Sequence, residues 1–148
     1  MKIDRVEWWE VNQFVHQEMV NSPEYADTHE QWDLVPKYLI RLHTDDGTYG
    51  VGETGRGAKG ADVEAAARQM IGLDPRNIPL RRLPLDGALA SVYKSYETAL
   101  LDMVGRIHNM RMCDLLGGAC RDQVIGSYWA GLQNPTHSLA AAAAARDG

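Results

Sequence analysis

Val35-Pro36-Lys37-Tyr38-Leu39-Ile40-Arg41-Leu42-His43-Thr44-Asp45-Asp46-Gly47-Thr48-Tyr49-Gly50-Val51-Gly52-Glu53 decides the fold. From Val35 to Thr44 the residues alternate, with Tyr38, Ile40 and Leu42 on one face, the period of a strand that buries one side. Asp45-Asp46-Gly47 then reverses the chain, because Gly47 supplies the positive φ that short hairpin loops need. Thr48 to Glu53 returns as the second arm. A turn this short imposes antiparallel pairing, so the sheet around it is expected to be a meander.

Upstream, Ile3 to about Gln17 reads as a further strand. Val6 and Trp8 share one face and Trp9 and Val11 the other, which implies a bulge or a strand covered on both sides. Between the strands, His16 to Leu34 is polar and has no helical or alternating period. A stretch of that length in a compact domain is functional or disordered. Downstream, Thr54 to Gly60 is glycine-rich. A helix is expected from about Ala61, with Val63, Ala66, Ala67, Met70 and Ile71 on one face and Gly72 as its C-terminal stop. Leu73 to Pro84 carries Pro75, Pro79 and Pro84 and reads as a connector. A longer helix is expected from about Asp86 to His108, with Leu89, Val92, Tyr96, Leu100, Met103 and Ile107 as one apolar stripe facing the core. Asp114 to Gly118 closes a short helix or turn. Gln123 to Trp129 then reads as a fourth strand and Pro135 to Arg146 as a final helix. No internal repeat is visible.

The whole chain has 148 residues, 45% hydrophobic and 24% charged, with a net charge of −5. That composition excludes wholesale disorder. Mixed signs on a mildly acidic chain argue against a nucleic-acid or anionic-membrane surface. No apolar run approaches the ~20 residues that span a bilayer. Met1-Lys2-Ile3-Asp4-Arg5 lacks the apolar core of a signal peptide, so a cytoplasmic protein is expected. Cys113 and Cys120 lack a metal or redox spacing and are expected to be reduced thiols. The histidines are scattered singly, without zinc-ligand spacing.

Gly55-x-Gly57-x-x-Gly60 matches GxGxxG between a strand and a helix, with Arg56 and Lys59 beside it, so a dinucleotide-binding domain is one alternative. The context opposes it. Such a unit needs an apolar parallel strand directly after the helix. Leu73-Asp74-Pro75-Arg76-Asn77-Ile78-Pro79 cannot supply a buried central strand.

The order of elements, the Gly50-Val51-Gly52-Glu53 strand, and the later stretch Glu97-Thr98-Ala99-Leu100-Leu101-Asp102-Met103-Val104-Gly105-Arg106 with Leu115-Leu116-Gly117-Gly118 and Arg121-Asp122 together resemble the N-terminal capping domain of the enolase superfamily, in its mandelate racemase and muconate-lactonizing branch. The resemblance covers essentially the whole chain. It departs where relatives carry Gly and then Pro and this chain has Asn109 and Arg111; asparagine can still adopt the left-handed conformation. The resemblance implies an α+β fold: a three-stranded antiparallel meander followed by a helical bundle. Residues 1–118 would be the cap, and 119–148 a truncated start of a (β/α) barrel, its first strand and first helix. A complete barrel of that kind takes ~250 residues.

The resemblance also implies a chemistry. Members hold Mg2+ on barrel carboxylates and abstract a proton alpha to a substrate carboxylate, the metal stabilising the enediolate. The full-length parent is therefore expected to be a Mg-dependent lyase or isomerase, with an acid-sugar dehydratase as the leading form and a racemase or epimerase beside it. It would act on a small carboxylic acid and form a homo-oligomer. This chain alone is expected to bind no metal, to carry no catalytic residue and to be inactive. In the family, the long first loop and the Gly-rich loop close over the barrel mouth, which marks His16, Tyr25, His29, Trp32 and Arg56 as substrate-binding candidates. Arg56 suits an acid sugar because its fork can hold two oxygens. A different class of function, a non-catalytic fragment that self-associates through an unpaired strand, stays open.

Overall fold

The computed structural model describes residues 1–14, 34–79, 82–126 and 134–147. The chain divides into two compact units. One comprises Met1–Val11 with Pro36–Cys120, and the other Asn12–Val35 with Arg121–Gly148.

The first unit is built on a three-stranded sheet of order β1-β2-β3. Its strands are β1 (Ile3–Phe14), β2 (Leu34–Thr44) and β3 (Tyr49–Glu53). β2 and β3 pair antiparallel, with Ile40 opposite Gly52 and Leu42 opposite Gly50. Gly47, at φ +89°, makes the reversal between them. The Asp46 carboxylate accepts from Thr44 Oγ1 at 2.6 Å and from the Thr48 N–H at 3.1 Å. Those hydrogen bonds, Thr44 first, hold its carboxyl below the usual aspartate range.

Helices α1 (Gly60–Met70), α2 (Ala90–His108) and α3 (Met112–Leu115) follow. The α2 stripe expected from the sequence is core: Leu89, Val92, Tyr96, Leu100 and Met103 are buried, and Ile107 packs at its margin. α2 starts later than expected, at Ala90, because a 3₁₀ turn over Gly87–Leu89 precedes it. The buried face is also wider than the stripe. Ser95 and Ala99 are buried beside it because β3 lies directly on the helix, and Gly105 is buried where Met110 and Leu115 fold back over it. A side chain at Gly50 would come within 2.1 Å of the Ala99 carbonyl oxygen, and one at Gly52 within 2.1 Å of the Ser95 carbonyl oxygen. Only a strand without Cβ atoms on that face fits.

β3 is an edge strand, and α2 covers part of its open edge. The Val51 N–H donates to Asp102 Oδ2 at 2.9 Å. At the other edge, Ile3 exchanges hydrogen bonds with Leu73 O (2.8 Å) and the Gly72 N–H (2.7 Å). These contacts use up hydrogen-bonding groups that would otherwise invite pairing with other chains.

α1 ends at Gly72, φ +87°, as its sequence predicts. α2 ends on Asn109, φ 50° and ψ 44°, the left-handed residue that the glycine of relatives would supply. The Met110 N–H returns to Gly105 O at 2.8 Å, completing the cap. Arg111 has φ −70°, a value proline also adopts, so the departure costs the backbone nothing. Its guanidinium forks onto Asp114 at 2.8 Å on each side.

In the connector, Asp74 caps the 3₁₀ turn Pro75–Asn77 and pairs with Arg76 Nη2 at 2.6 Å. The Arg76 hydrogen bond lowers the Asp74 carboxyl to about 2. A lowered native value makes this contribution to stability present above the unfolded value and lost as pH falls toward 2. In an NMR titration, Asp74 is expected to titrate near its lowered value, and Arg76→Ala to return it toward the ordinary aspartate range.

In the second unit, Pro135–Asp147 forms helix α4, with Asn134 Oδ1 accepting from the His137 N–H at 2.9 Å at its start. The fourth strand expected over 123–129 is not formed in its described part. Residues 123–126 are irregular and exposed; 127–129 lie outside the described residues. A strand exists only through its neighbours, and among the described residues the sheet holds β1, β2 and β3.

Candidate functional site

In the meander, the chain around Val11, Pro36 and Glu53 shares one end of the sheet. There β3 hands over to the Gly-rich segment 54–59. Of the five candidate residues, Arg56 alone is described: it is exposed, in a turn with Gly57 at φ +80°. His16, Tyr25, His29 and Trp32 lie outside the described residues.

The anchoring of this end is well defined. Thr54 is buried; its N–H donates to Tyr38 O, and its Oγ1 accepts from the Tyr38 N–H, both at 2.9 Å. Glu53 pairs with Lys37 Nζ of the neighbouring strand at 2.5 Å, a cross-strand tie. The Tyr38 hydroxyl donates to Glu10 Oε2 at 3.3 Å. Desolvation, and then the Glu10 charge, raise the phenol above its ordinary value, so it stays a neutral donor. GxGxxG here follows the edge strand of an antiparallel sheet, a context that gives no dinucleotide crevice.

A second polar group, which sequence reasoning missed, is assembled across β1 and β2. His43 Nε2 is 2.6 Å from Glu7 Oε2, and Arg5 Nη2 is 3.3 Å from Nδ1. The His43 hydrogen bond, followed by the Arg5 charge, lowers the Glu7 carboxyl against an opposing desolvation. Beside it the Tyr49 ring carries the Arg41 guanidinium at 4.1 Å and that of Arg106 at 4.3 Å. Alternation along single strands cannot reveal these groups, because each is assembled across strands or from strand and helix.

Among the described residues, no group of three or more His, Cys, Asp or Glu is placed to hold a metal ion. Glu7, Glu53, Asp74, Asp102 and Asp114 are each committed to a basic partner. They do not fit the magnesium that the resemblance implies. No helix among the described residues is long and apolar enough to cross a membrane.

No family model matches the chain. Over 125 residues it is 30% identical to a D-galactonate dehydratase of Klebsiella pneumoniae (strain 342), an alignment covering 74% of this chain and 32% of that protein. An enolase from Pseudomonas fluorescens Pf0-1, solved with bound magnesium, potassium and tartrate, superposes with a TM-score of 0.70 at 25% identity, covering 99% of this chain and 43% of the other. The chain belongs to the enolase superfamily. The superfamily's muconate lactonizing enzyme from Pseudomonas putida shares the fold at a TM-score of 0.59 and 24% identity, over 82% of this chain and 34% of its own. The antiparallel sheet with its packed helices is thus the N-terminal capping fold of the enolase superfamily. The chain spans about a third of the length of the curated relatives it matches.

Proposed function

We propose that residues 1–118 cap, and 119–148 begin, the barrel of an enzyme that removes a proton alpha to a carboxylate. Dehydration of an acid sugar is the favoured reaction, with racemisation or epimerisation as the alternative. The observation that carries this reading is the 30% identity to a D-galactonate dehydratase, and the tartrate bound in the Pseudomonas fluorescens enolase is a polyhydroxy acid of similar chemistry. A proton beside a carboxylate is only weakly acidic, so its removal needs charge stabilisation that the described residues do not supply. On this reading Mg2+ and the acid–base groups belong to the rest of a cytoplasmic, homo-oligomeric enzyme. The cap contributes His16, Tyr25, His29, Trp32 and Arg56 to the distal end of the substrate, and Arg56 takes a carboxylate or a pair of hydroxyls.

The test is a chimera in which this chain replaces the corresponding cap of the D-galactonate dehydratase. With Mg2+ and a panel of acid sugars, the chimera is expected to form 2-keto-3-deoxy acids, and the 148-residue chain alone to form none. Arg56→Ala in the chimera should raise KM at least about tenfold and leave kcat within about threefold, because a contact distant from the reacting carbon binds ground and transition states alike. Turnover by the chain alone would overturn the reading. One observation favours a second reading, a self-associating module: Val124 is 82% and Ile125 94% exposed. Catalytically silent dimers at micromolar concentration, from both chain and chimera, would support that instead.

A further inference from the structure

The last rung of the β2–β3 ladder is half side chain. In an antiparallel ladder, the residue pairs that exchange both main-chain hydrogen bonds recur at every second position. Thr44 opposite Thr48 is such a pair, with the Thr44 N–H donating to Thr48 O at 2.9 Å. The register makes Leu42 with Gly50 and Ile40 with Gly52 the next two, and Tyr38 with Thr54 the last. One of its two bonds is the ordinary one, from the Thr54 N–H to Tyr38 O at 2.9 Å. The other is not. The Tyr38 N–H donates to Thr54 Oγ1, also at 2.9 Å, where the ladder would use the Thr54 carbonyl.

Putting a hydroxyl in the place of a carbonyl decides where the strand ends. A strand that peels away from its neighbour leaves a main-chain N–H behind, and a buried N–H without an acceptor costs about 1–3 kcal/mol. Thr54 is 2% exposed, and its Oγ1 takes the N–H that its carbonyl would otherwise serve. The carbonyl is released, and the chain leaves the sheet at Thr54. Valine has nearly the same shape, so a position that needed only volume would not need this hydroxyl, which is costly to bury unless it is hydrogen-bonded. Gly55-Arg56-Gly57 follows directly, with Gly57 at φ +80°. Among the described residues, nothing lies within 4 Å of a Cβ at Gly55 or Gly57. Packing at these glycines therefore does not set the path, and the point of departure from the sheet does.

We propose that Thr54 is a positioning residue of the Gly-rich segment: its hydroxyl closes the β2–β3 ladder in place of its carbonyl, and this sets the point from which Arg56 is presented. That Arg56 meets substrate rests on the reading above; the closure of the ladder does not. In Thr54→Val the Tyr38 N–H loses its acceptor. Either the carbonyl of residue 54 swings in and lengthens β3, or the N–H is stranded, and both displace Gly55 and Arg56. Thr54→Ser keeps the acceptor.

NMR on the 148-residue chain tests the closure without substrate, so it can fail separately from the substrate reading. Scalar couplings across hydrogen bonds should join the Thr54 nitrogen to the Tyr38 carbonyl carbon, and should not join the Tyr38 nitrogen to the Thr54 carbonyl carbon, while the Tyr38 amide stays protected from exchange. A coupling from the Tyr38 nitrogen to the Thr54 carbonyl carbon, or a Tyr38 amide exchanging at the free-peptide rate, would overturn the proposal. In Thr54→Val the Gly55, Arg56 and Gly57 amide signals should move, and in Thr54→Ser they should return, with the Met103 amide in α2 unmoved in both. Equal movement in the two variants, or movement of Met103 in step, would reduce Thr54 to general stability and overturn the positioning role. If Thr54→Val does not fold, the couplings in the unmodified chain decide. In the chimera, Thr54→Val should raise KM about two- to twelvefold, the range set by one net hydrogen bond, with a smaller change in kcat, and Thr54→Ser should stay within about twofold. On an Arg56→Ala background Thr54→Val should add less than about twofold, because coupled residues are not additive. A full effect there would show that Thr54 does not act through Arg56. If Arg56→Ala itself leaves KM unchanged, the substrate reading fails, and the couplings and amide signals alone decide the closure.

Discussion

Gly52→Ala is expected to cost at least about 3 kcal/mol, a large part of the ~5–15 kcal/mol that holds an ordinary domain folded. The sign is itself informative. In a strand interior with open space, alanine would be the better residue by roughly 0.5–1 kcal/mol, because glycine loses more backbone freedom on folding. Here the added methyl would sit 2.1 Å from the Ser95 carbonyl oxygen and 3.1 Å from the Ala99 nitrogen. Both are main-chain atoms of α2, so no rotamer change relieves the clash. β3 must lift from the helix by about 1 Å or more, and overpacking a fitted core typically costs about 1–3 kcal/mol even when side chains can move. Lifting β3 also separates Val51 from Asp102 and disturbs the pairing that sets Ile40 and Leu42 over the core. Urea unfolding followed by tryptophan fluorescence measures the loss, with Gly55→Ala as control. Nothing lies within 4 Å of a Cβ at Gly55, so that variant should stay within about 0.5 kcal/mol. A Gly52→Ala protein within about 1 kcal/mol of the parent would show that strand and helix are not in this contact.

The same pair of glycines marks where sequence reading stops. The meander was legible because its signals are local: the period of two through Tyr38, Ile40 and Leu42, and a glycine where the turn needs positive φ. The apolar stripe of α2 was legible for the same reason, and the left-handed stop at Asn109 was legible from the resemblance. What α2 does with Ser95 and Ala99 was not, because those small residues are selected by a strand far away in the chain. A polar or small residue on a helix reads as surface until its neighbour is known. The Glu7–His43–Arg5 group and the stacking of two guanidinium groups on Tyr49 share that property. Each joins residues whose local patterns are independent of one another. The described part of the expected fourth strand is irregular for the converse reason. Gln123 to Gly126 has strand composition, yet composition supplies no partner, and β-propensity expresses packing against neighbours more than a backbone preference. All five substrate candidates were named from the resemblance; Arg56 lies in a glycine-rich turn, and the other four lie outside the described residues.

Tyr96→Ala is expected to be comparably damaging, by about 3–5 kcal/mol, through loss of a large buried side chain and the cavity it leaves. Tyr96 is fully buried in the middle of α2, and its hydroxyl donates to the Val63 carbonyl of α1 at 2.6 Å. It therefore joins α1 and α2 by packing and by a directional bond, and Tyr96→Phe separates the two contributions. The Val63 carbonyl lies inside α1 and keeps its helical partner, so phenylalanine strands no buried group and should cost only about 0.5–1.5 kcal/mol. Burial also raises the phenol above its ordinary value. The sign follows from linkage. The native state keeps a proton that the unfolded chain releases near pH ~10, so the contribution is complete below that pH and falls as pH rises through and beyond it. Chemical denaturation of parent, Tyr96→Phe and Tyr96→Ala at pH 7.5 and again near pH ~10.5 tests both parts. Tyr96→Phe should lose less stability than the parent over that interval, because it has no proton to give up at this position. Equal losses in parent and Tyr96→Phe would show that the phenol is reached by solvent, and an alanine variant costing less than about 1.5 kcal/mol would show that α1 and α2 do not meet on this ring.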